Sequence, residues 1–262
     1  MPLRVAAPVA DAEEIPVMMP VYLPHERAAR VQERVKPSSA TPEHGLPLVE
    51  RLIVLLDPTT GQLLSLMGGV HITTTREAAA SAVATRALAN ADASTLALVG
   101  ARVQAGSGLE AMLAVRSITK VRVALSRGPR STTPTSRSRP VEAVGEAVVG
   151  ADLVCTISTL QSPVLRLKWL QPGCQVNAVR SHSPPAREID TAAMAHARVA
   201  VDSREAALGE CGDCVILIGE GLFSSEHVSD ARHRVLSHRG SPQCSKAFVR
   251  SRGDAGRHRL HL

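Results

Sequence analysis

Residues 94–127 read STLALVGARVQAGSGLEAMLAVRSITKVRVALSR, and this stretch decides the fold class. The apolar run Ser94–Val99 predicts a buried strand that ends at Gly100. Val103–Arg116 then predicts a helix, and Lys120–Leu125 predicts a second strand. A strand, a helix and a strand in this order predict an α/β fold, in which helices cover both faces of a parallel sheet.

Further elements of the same kind are predicted after this unit. Apolar runs predict strands at Leu153–Ile157, Gln175–Val179 and Arg198–Val201, and Val141–Val149 predicts a helix between strands. Two segments do not fit the pattern. Ser126–Pro140 (SRGPRSTTPTSRSRP) and the tail after Ser229 have neither helical nor strand periodicity, and we expect low order in both.

The N-terminal part of the chain predicts a smaller α+β arrangement. Arg51–Met67 predicts a hairpin whose turn is Asp57-Pro58-Thr59-Thr60-Gly61, because proline presets the turn and glycine supplies positive φ. Thr73–Leu88 predicts an alanine-rich helix, and Thr74 and Glu77 have the spacing of a capping box at its start.

Composition and charge exclude several classes of protein. Of the 262 residues 44% are hydrophobic, which is typical of a globular chain, and no apolar run is long enough to span a bilayer. Five cysteines are an odd number, and the early acids Asp11, Glu13 and Glu14 do not suit a leader peptide. We therefore expect a cytoplasmic protein with no membrane partner.

The net charge of +6 arises in the C-terminal tail, where residues 231–262 hold eight Arg or Lys and one Asp. This tail leaves nucleic-acid or acidic-surface binding open as a second class of function. Aromatic residues make up 2% of the chain, so stacking platforms for bases are scarce and nucleic-acid binding is disfavoured.

Gly100-Ala101-Arg102-Val103-Gln104-Ala105 has the setting of a dinucleotide-binding turn, between a strand and a helix. Gly100 and Ala105 satisfy the need for a sharp turn and for close helix packing, whereas Arg102 stands where a second glycine is usual. At the end of the next strand, Ser126 and Arg127 suit a 2′-phosphate better than a 2′-hydroxyl. They favour NADPH over NADH, although a solvated loop explains Arg127 equally well.

No metal site is predicted. Cys211-Gly212-Asp213-Cys214 has C-x-x-C spacing but no second pair of cysteines, and the ten histidines show no ligand spacing on a helix. Two buried structural cysteines are the simpler interpretation.

The sequence resembles the ornithine cyclodeaminase/mu-crystallin family between about Pro2 and Gly221. The residues that carry this resemblance are LDPTTGQLLSLM (56–67), Ile72-Thr73-x-x-Arg76-x-Ala78-Ala79, LALVGARVQA (96–105), NAV (177–179) and VDSREAAL (201–208). The resemblance implies a Rossmann domain at 91–221. It also implies a substrate and dimerisation domain from 1–90 with 222–262, which lacks the segment that opens the family's first domain.

The same resemblance implies a homodimer that uses NAD(P)(H) on imines or amino acids, and it assigns residues. Arg4 and Arg76 match arginines near the substrate carboxylate, a role that suits the bidentate guanidinium. The positions that match cofactor-binding residues are Gly100, Ala101, Val103, Gln104, Ser126, Arg127, Thr156, Ile157 and Ser158.

Departures from the family pattern indicate which of the family's activities this sequence favours. Val179-Arg180-Ser181-His182-Ser183-Pro184 lacks the aspartate of the cyclodeaminases and alanine dehydrogenases, so reduction of a cyclic ketimine carboxylate is favoured, with His182 as candidate proton donor. Arg30-Val31-Gln32 lacks the family's lysine. This loss and Arg102 favour the alternative of a non-catalytic protein that binds NADPH or a small, thyroid-hormone-like carboxylate. An amino-acid cyclodeaminase is a further alternative.

Overall fold

The computed structural model describes residues 5–6, 17–23, 28–35, 50–100, 103–124, 138–158, 162–179, 184–230 and 247–251. The chain divides into two compact units, Met1–Arg76 and Glu77–Leu262. The described elements of the first unit are strands β1 (Val5–Ala6), β2 (Val17–Leu23), β3 (Ala28–Val35), β4 (Glu50–Leu56) and β5 (Leu63–Gly68), followed by helix α1 (Gly69–Leu88), which continues into the second unit.

The first unit is an antiparallel sheet with the order β1-β2-β3-β4-β5. The hairpin predicted at 51–67 is confirmed as β4 and β5. In its turn the Asp57 carboxylate accepts hydrogen bonds from the backbone N–H groups of Thr59 (2.8 Å) and Thr60 (2.9 Å), and Gly61 has φ +74°.

Helix α1 begins at Gly69, earlier than the sequence predicts. The predicted capping box is therefore wrong, because Thr74 and Glu77 lie inside the helix. The Thr74 hydroxyl donates to the Val70 carbonyl one turn back, at 2.8 Å, which is the usual bond of a threonine in a helix interior.

The second unit alternates strands and helices. Its described strands are β6 (Thr95–Val99), β7 (Lys120–Ala124), β8 (Ser138–Val141), β9 (Leu153–Thr156), β10 (Gln175–Ala178), β11 (Ala197–Val201), β12 (Val228–Asp230) and β13 (Ala247–Ser251). Its described helices are α2 (Val103–Val115), α3 (Val144–Val148), α4 (Thr191–His196), α5 (Arg204–Glu210) and α6 (Gly212–Gly219).

These strands form one sheet in the order β12-β11-β13-β10-β9-β6-β7-β8. The run from β10 to β8 is parallel, and β13 lies antiparallel between β10 and β11. Buried apolar side chains cover both faces: one cluster includes Val99, Val154 and Val176, and the other includes Leu98, Leu153 and Met112. The predicted α/β fold with a Rossmann-type sheet is confirmed.

The strand order reverses between β6 and β9. From β6 the chain runs outward to β7 and β8, and it then returns to place β9 and β10 on the other side of β6. In open α/β sheets the crevice at the carboxyl ends of the two strands beside such a switch point is where ligands bind.

Two sequence expectations are wrong in part. Ser138–Pro140 was expected to have low order but lies in β8, an edge strand that pairs with β7 through its backbone and tolerates Pro140. The same expectation fails in the tail at Asp230 and Ala247–Ser251, which pair with other strands. The rest of both segments lies outside the described residues.

The predicted helix at Val141–Val149 is shorter than expected, since Val141 ends β8 and α3 begins at Val144. The division between compact units falls at Arg76, and β12 and β13 belong to the sheet of the second unit. The domain bounds that the resemblance implies, 1–90 with 222–262 and 91–221, remain a prediction.

Candidate functional site

Gly100 forms the turn that leaves β6 at the switch point. Its φ is +110°, a conformation that L side chains rarely adopt, and its backbone N–H donates to the Ala124 carbonyl at 3.0 Å. A Cβ at this position would lie 2.5 Å from the Ile157 carbonyl oxygen. Glycine is therefore required both by the backbone angle and by the close approach of the turn to the end of β9.

The end of β9 supplies the other side of the crevice. The Ile157 N–H donates to the Val99 carbonyl at 2.8 Å, which continues the pairing of β9 with β6 beyond the strand itself. Thr156 is fully buried, and its hydroxyl has no hydrogen-bond partner among the described residues. A buried hydroxyl without a partner is uncommon, so this strand end carries an unmet polar group.

Two buried carboxylates fix the position of Ser158. The Ser158 N–H donates to Glu188 Oε1 at 3.2 Å, and its hydroxyl donates to the same oxygen at 3.4 Å. Asp213 Oδ1 in turn accepts from the backbone N–H groups of Glu188 and Ile189, both at 3.0 Å. The peptide that faces Gly100 is thus held through a chain of hydrogen bonds that extends to the start of α6.

A second link crosses from α1 to the helix that follows the turn. Gln104, the second residue of α2, donates from its side-chain amide to the Glu77 carboxylate. Glu77 is 7% exposed and lies in α1 beside Arg76. Sequence reasoning assigned Glu77 to a helix cap and missed this contact.

The C-terminal half of α1 is fastened to the sheet by a buried polar group of three side chains. The Thr85 hydroxyl donates to Gln175 Oε1 (2.9 Å), the Gln175 amide donates to Asn177 Oδ1 (2.9 Å), and the Asn177 amide donates to Thr85 (3.0 Å). All three residues are fully buried. The ring satisfies its own polar atoms, which is the condition under which a buried network stabilises a single arrangement.

Arg116 closes the end of α1. Its guanidinium donates to the carbonyls of Thr85 (2.9 Å), Arg86 (3.1 Å) and Ala89 (3.0 Å), which lie in the last turn of the helix and just beyond it. Helix α1 therefore has a fixed place against the sheet and α2.

The structure describes about half of the residues that the sequence assigned to a site. Gly100 and Ile157 meet across the switch point, Thr156 and Ser158 flank Ile157, and Val103 begins α2. Arg76 is half-buried in α1, as the last residue of the first unit. Five assigned residues lie outside the described residues: Arg4, Ala101, Ser126, Arg127 and His182.

Glu188 and Asp213 are buried residues of the candidate site that sequence reasoning did not single out. Each is far along the chain from Ser158, and their contacts arise only when the sheet forms. For Asp213 the available signal was the apolar run at 215–218 that follows it, because a buried carboxylate needs hydrogen-bond donors. Glu188 follows Arg187 and has no such local signal.

The cysteines that the structure describes are buried. Cys211 and Cys214 lie in an apolar cluster at the start of α6, in accord with a structural role. Burial, with the nearby charge of Asp152, raises the pKa of the Cys174 thiol to about 12. Within the described ranges, no group of three His, Cys, Asp or Glu could hold a metal ion.

Comparison with models of protein families shows which family the chain belongs to. The model of the ornithine cyclodeaminase/mu-crystallin family matches residues 1–230. The chain belongs to this family. Among its relatives, ketimine reductase mu-crystallin of Macropus fuliginosus is 36% identical over 233 residues, which cover 85% of this chain and 72% of that protein.

Two pyrroline-2-carboxylate reductases are similar to the chain as well. Delta(1)-pyrroline-2-carboxylate reductase of Bacillus cereus is 33% identical over 249 residues, which cover 90% of this chain and 75% of that protein. The structure of the Thermococcus litoralis Delta(1)-pyrroline-2-carboxylate reductase, in complex with NADH and L-proline, matches with a TM-score of 0.77 and 28% identity. That match covers 93% of this chain and 79% of the other.

No described helix is both long and apolar enough to cross a membrane.

Proposed function

We propose that this family member reduces cyclic ketimine carboxylates with NADPH as the hydride donor. Two relatives support the reaction class, since they are named as a ketimine reductase and a pyrroline-2-carboxylate reductase. The single observation that carries the proposal is the turn at Gly100, which lies against Ile157 where the strand order reverses. A dinucleotide is the ligand for which such a turn is built.

The described residues fit the cofactor. The φ of +110° at Gly100 and the start of α2 three residues later support a diphosphate site at the N–H groups of this helix. Thr156 offers a buried hydroxyl without a partner among the described residues at the end of the neighbouring strand. The turn from Gly100 through Ala101 and Val103 to Gln104 would hold the dinucleotide through its backbone, together with the strand end at 156–158. Bound there, the cofactor supplies hydride for the C=N carbon.

Side chains of the protein would bind the substrate, deliver the proton and select the cofactor. Arg76 and Arg4 would bind the substrate carboxylate, because guanidinium groups bind it bidentately and keep their charge. His182, or a water molecule, would deliver the proton to nitrogen. Ser126 and Arg127 would bind the 2′-phosphate and so select NADPH over NADH.

We further propose that the protein is a homodimer built through the sheet of its first unit. Met18, Leu52, Leu64 and Leu66 are 37–58% exposed. The register places Met18 opposite Glu33, Glu33 opposite Leu52, and Leu52 opposite Gly68, so Met18, Leu52 and Leu66 share one face. Exposed apolar side chains grouped on one sheet face mark an interaction site, and a second copy of the chain offers the same surface.

A cytoplasmic location completes the proposal, supported by described cysteines that are all free thiols.

The test is a titration of the purified protein with NADPH and with NADH, following cofactor fluorescence, and then an assay with a cyclic ketimine carboxylate. We expect saturable binding, tighter for NADPH, and oxidation of the cofactor on addition of the imine. A folded protein that binds neither cofactor would refute the proposal. Tight binding without turnover would favour the non-catalytic alternative.

A further inference from the structure

We propose that Glu77 is a positioning residue for the cofactor turn. Its carboxylate holds Gln104, and through Gln104 it holds the first turn of α2 in the place that the diphosphate requires. This inference rests on the proposed use of a nicotinamide dinucleotide.

The geometry places the contact close to the turn. Gln104 is four residues after Gly100 and is the second residue of α2, and its side-chain amide donates to Glu77. The diphosphate of a dinucleotide binds to backbone N–H groups of this same first turn. A small displacement of the turn would therefore change the direction of the groups that bind the cofactor.

Glu77 is able to hold the turn because its own helix is held. Eight residues further along α1, Thr85 is hydrogen-bonded to Gln175 and Asn177 on β10, and Arg116 binds the carbonyls at the helix end. These contacts fix α1 on the sheet about 12 Å from Glu77, as measured along the helix axis. The Glu77–Gln104 bond transmits that fixed position to α2.

Glu77 also suits this location as a hydrogen-bond acceptor. Helix α2 has no acidic residue in its own first turn, so the acceptor for the Gln104 amide comes from the neighbouring helix. Glu77 is 7% exposed, and a carboxylate so far removed from water is retained only where donors surround it. Gln104 is such a donor.

The experiment exchanges the two partners. Gln104→Glu sets two carboxylates against each other, and we expect NADPH binding to weaken about tenfold, the loss typical of a broken hydrogen bond to a charged group. Glu77→Gln keeps an acceptor oxygen and should stay within about threefold of the wild type. With both substitutions the amide donates from α1 to a carboxylate on α2, and affinity should return to within about threefold of the wild type.

Two further variants complete the design. Gln104→Met removes the donor without adding charge, and we expect it to fold normally and to bind NADPH about fivefold more weakly. It keeps the inference testable if Gln104→Glu does not fold. Ser81→Ala is the matched control, because Ser81 is buried on α1 and donates to the Glu77 carbonyl within its own helix. Its NADPH affinity should equal that of the wild type.

The outcomes separate the inference from the proposed function. If the wild type binds NADPH and Gln104→Met and Gln104→Glu bind equally well, the positioning role is wrong and the proposed function stands. Failure of the double substitution to improve on Gln104→Glu would also overturn the positioning role. If the wild type binds neither NADPH nor NADH, the proposed function falls and this inference falls with it.

Discussion

At the scale of single residues, Gly100 is the described glycine at which an added side chain would make the closest contact. Replacement by alanine sets a Cβ 2.5 Å from the Ile157 carbonyl and forces a side chain into φ +110°. We expect Gly100→Ala to lose at least about 2 kcal/mol of stability and to reduce NADPH affinity more than about tenfold, because the turn must move to relieve the contact.

The control for this change is Gly106→Ala. Gly106 lies in α2, a Cβ there would meet nothing within 4 Å, and its backbone angle is not positive. Alanine should stabilise the helix by up to about 1 kcal/mol and leave cofactor binding unchanged. Chemical denaturation and NADPH titration measure both effects, and equal behaviour of the two alanine variants would contradict the role of Gly100.

Asp57 gives the hairpin a dependence on pH. Backbone hydrogen bonds from Thr60 and Thr59 lower the pKa of its carboxyl below the ordinary 3.8. A carboxyl whose pKa is lower in the folded state stabilises it fully above the unfolded value and loses this contribution as the pH falls through the folded pKa.

The measurement for Asp57 compares the melting temperature of the wild type with that of Asp57→Asn between about pH 6 and about pH 2. The wild type should lose its advantage below about pH 4, whereas asparagine keeps an acceptor oxygen and does not titrate there. A difference between the two proteins that stays constant over this range would show that the hydrogen bonds do not depend on the charge.

Sequence reasoning located Gly100 because a turn between a strand and a helix demands glycine there, which is a local requirement. It misassigned Glu77 and missed Glu188, since their partners Gln104 and Ser158 lie 27 and 30 residues away along the chain. Local spacing suggested a capping box for Glu77, and the fold gave it a contact with another helix instead.

At the scale of elements, the attachment of α1 depends on Arg116. Three carbonyls near the helix end share its guanidinium. Arg116→Ala leaves these acceptors without their charged donor, and we expect a loss of about 2 kcal/mol in the free energy of unfolding. Arg116→Lys should recover part of this loss, because an ammonium group donates from one point rather than from a planar fork.

Urea denaturation followed by circular dichroism measures these changes. Arg86→Ala, an exposed substitution on the same helix, is the control and should change stability by less than about 0.5 kcal/mol. Should Arg116→Ala match that control, the guanidinium contacts would contribute nothing measurable to the helix end.

The elements that sequence analysis found most readily are those with continuous apolar runs. β6, β9 and β10 are buried along nearly their whole length, and their hydrophobicity alone reveals them. β8 was missed because an edge strand pairs through its backbone, and Ser138–Val141 has one buried side chain, Val141, among the three that the structure describes. The early start of α1 at Gly69 was missed because glycine has a low helix propensity.

At the scale of the whole molecule, the apolar face of the first sheet should determine the oligomeric state. Leu64→Lys with Leu66→Lys places two charges on residues that are 52% and 58% exposed, so the isolated chain should tolerate them. At a dimer interface the same charges would be buried without partners, and we expect the double variant to be a monomer.

Analytical ultracentrifugation checks this expectation against Val149→Lys. Val149 is 55% exposed and lies after α3 in the second unit, so a lysine there should leave the dimer intact. A wild type that sediments as a monomer at all concentrations, or a double variant that remains a dimer, would refute the interface.

The strand order also dictates a sequence of folding events. Strands β6 and β7 pair with each other and are separated along the chain only by α2. Strand β9 pairs with β6 only after the intervening chain has closed a long loop, since the bond between Ser94 and Asp152 spans 58 residues. Loop-closure entropy must be overcome before such contacts stabilise anything, so high contact order makes this step slow. The crevice beside Gly100 exists only after β9 has docked, and the cofactor crevice is therefore a late product of folding.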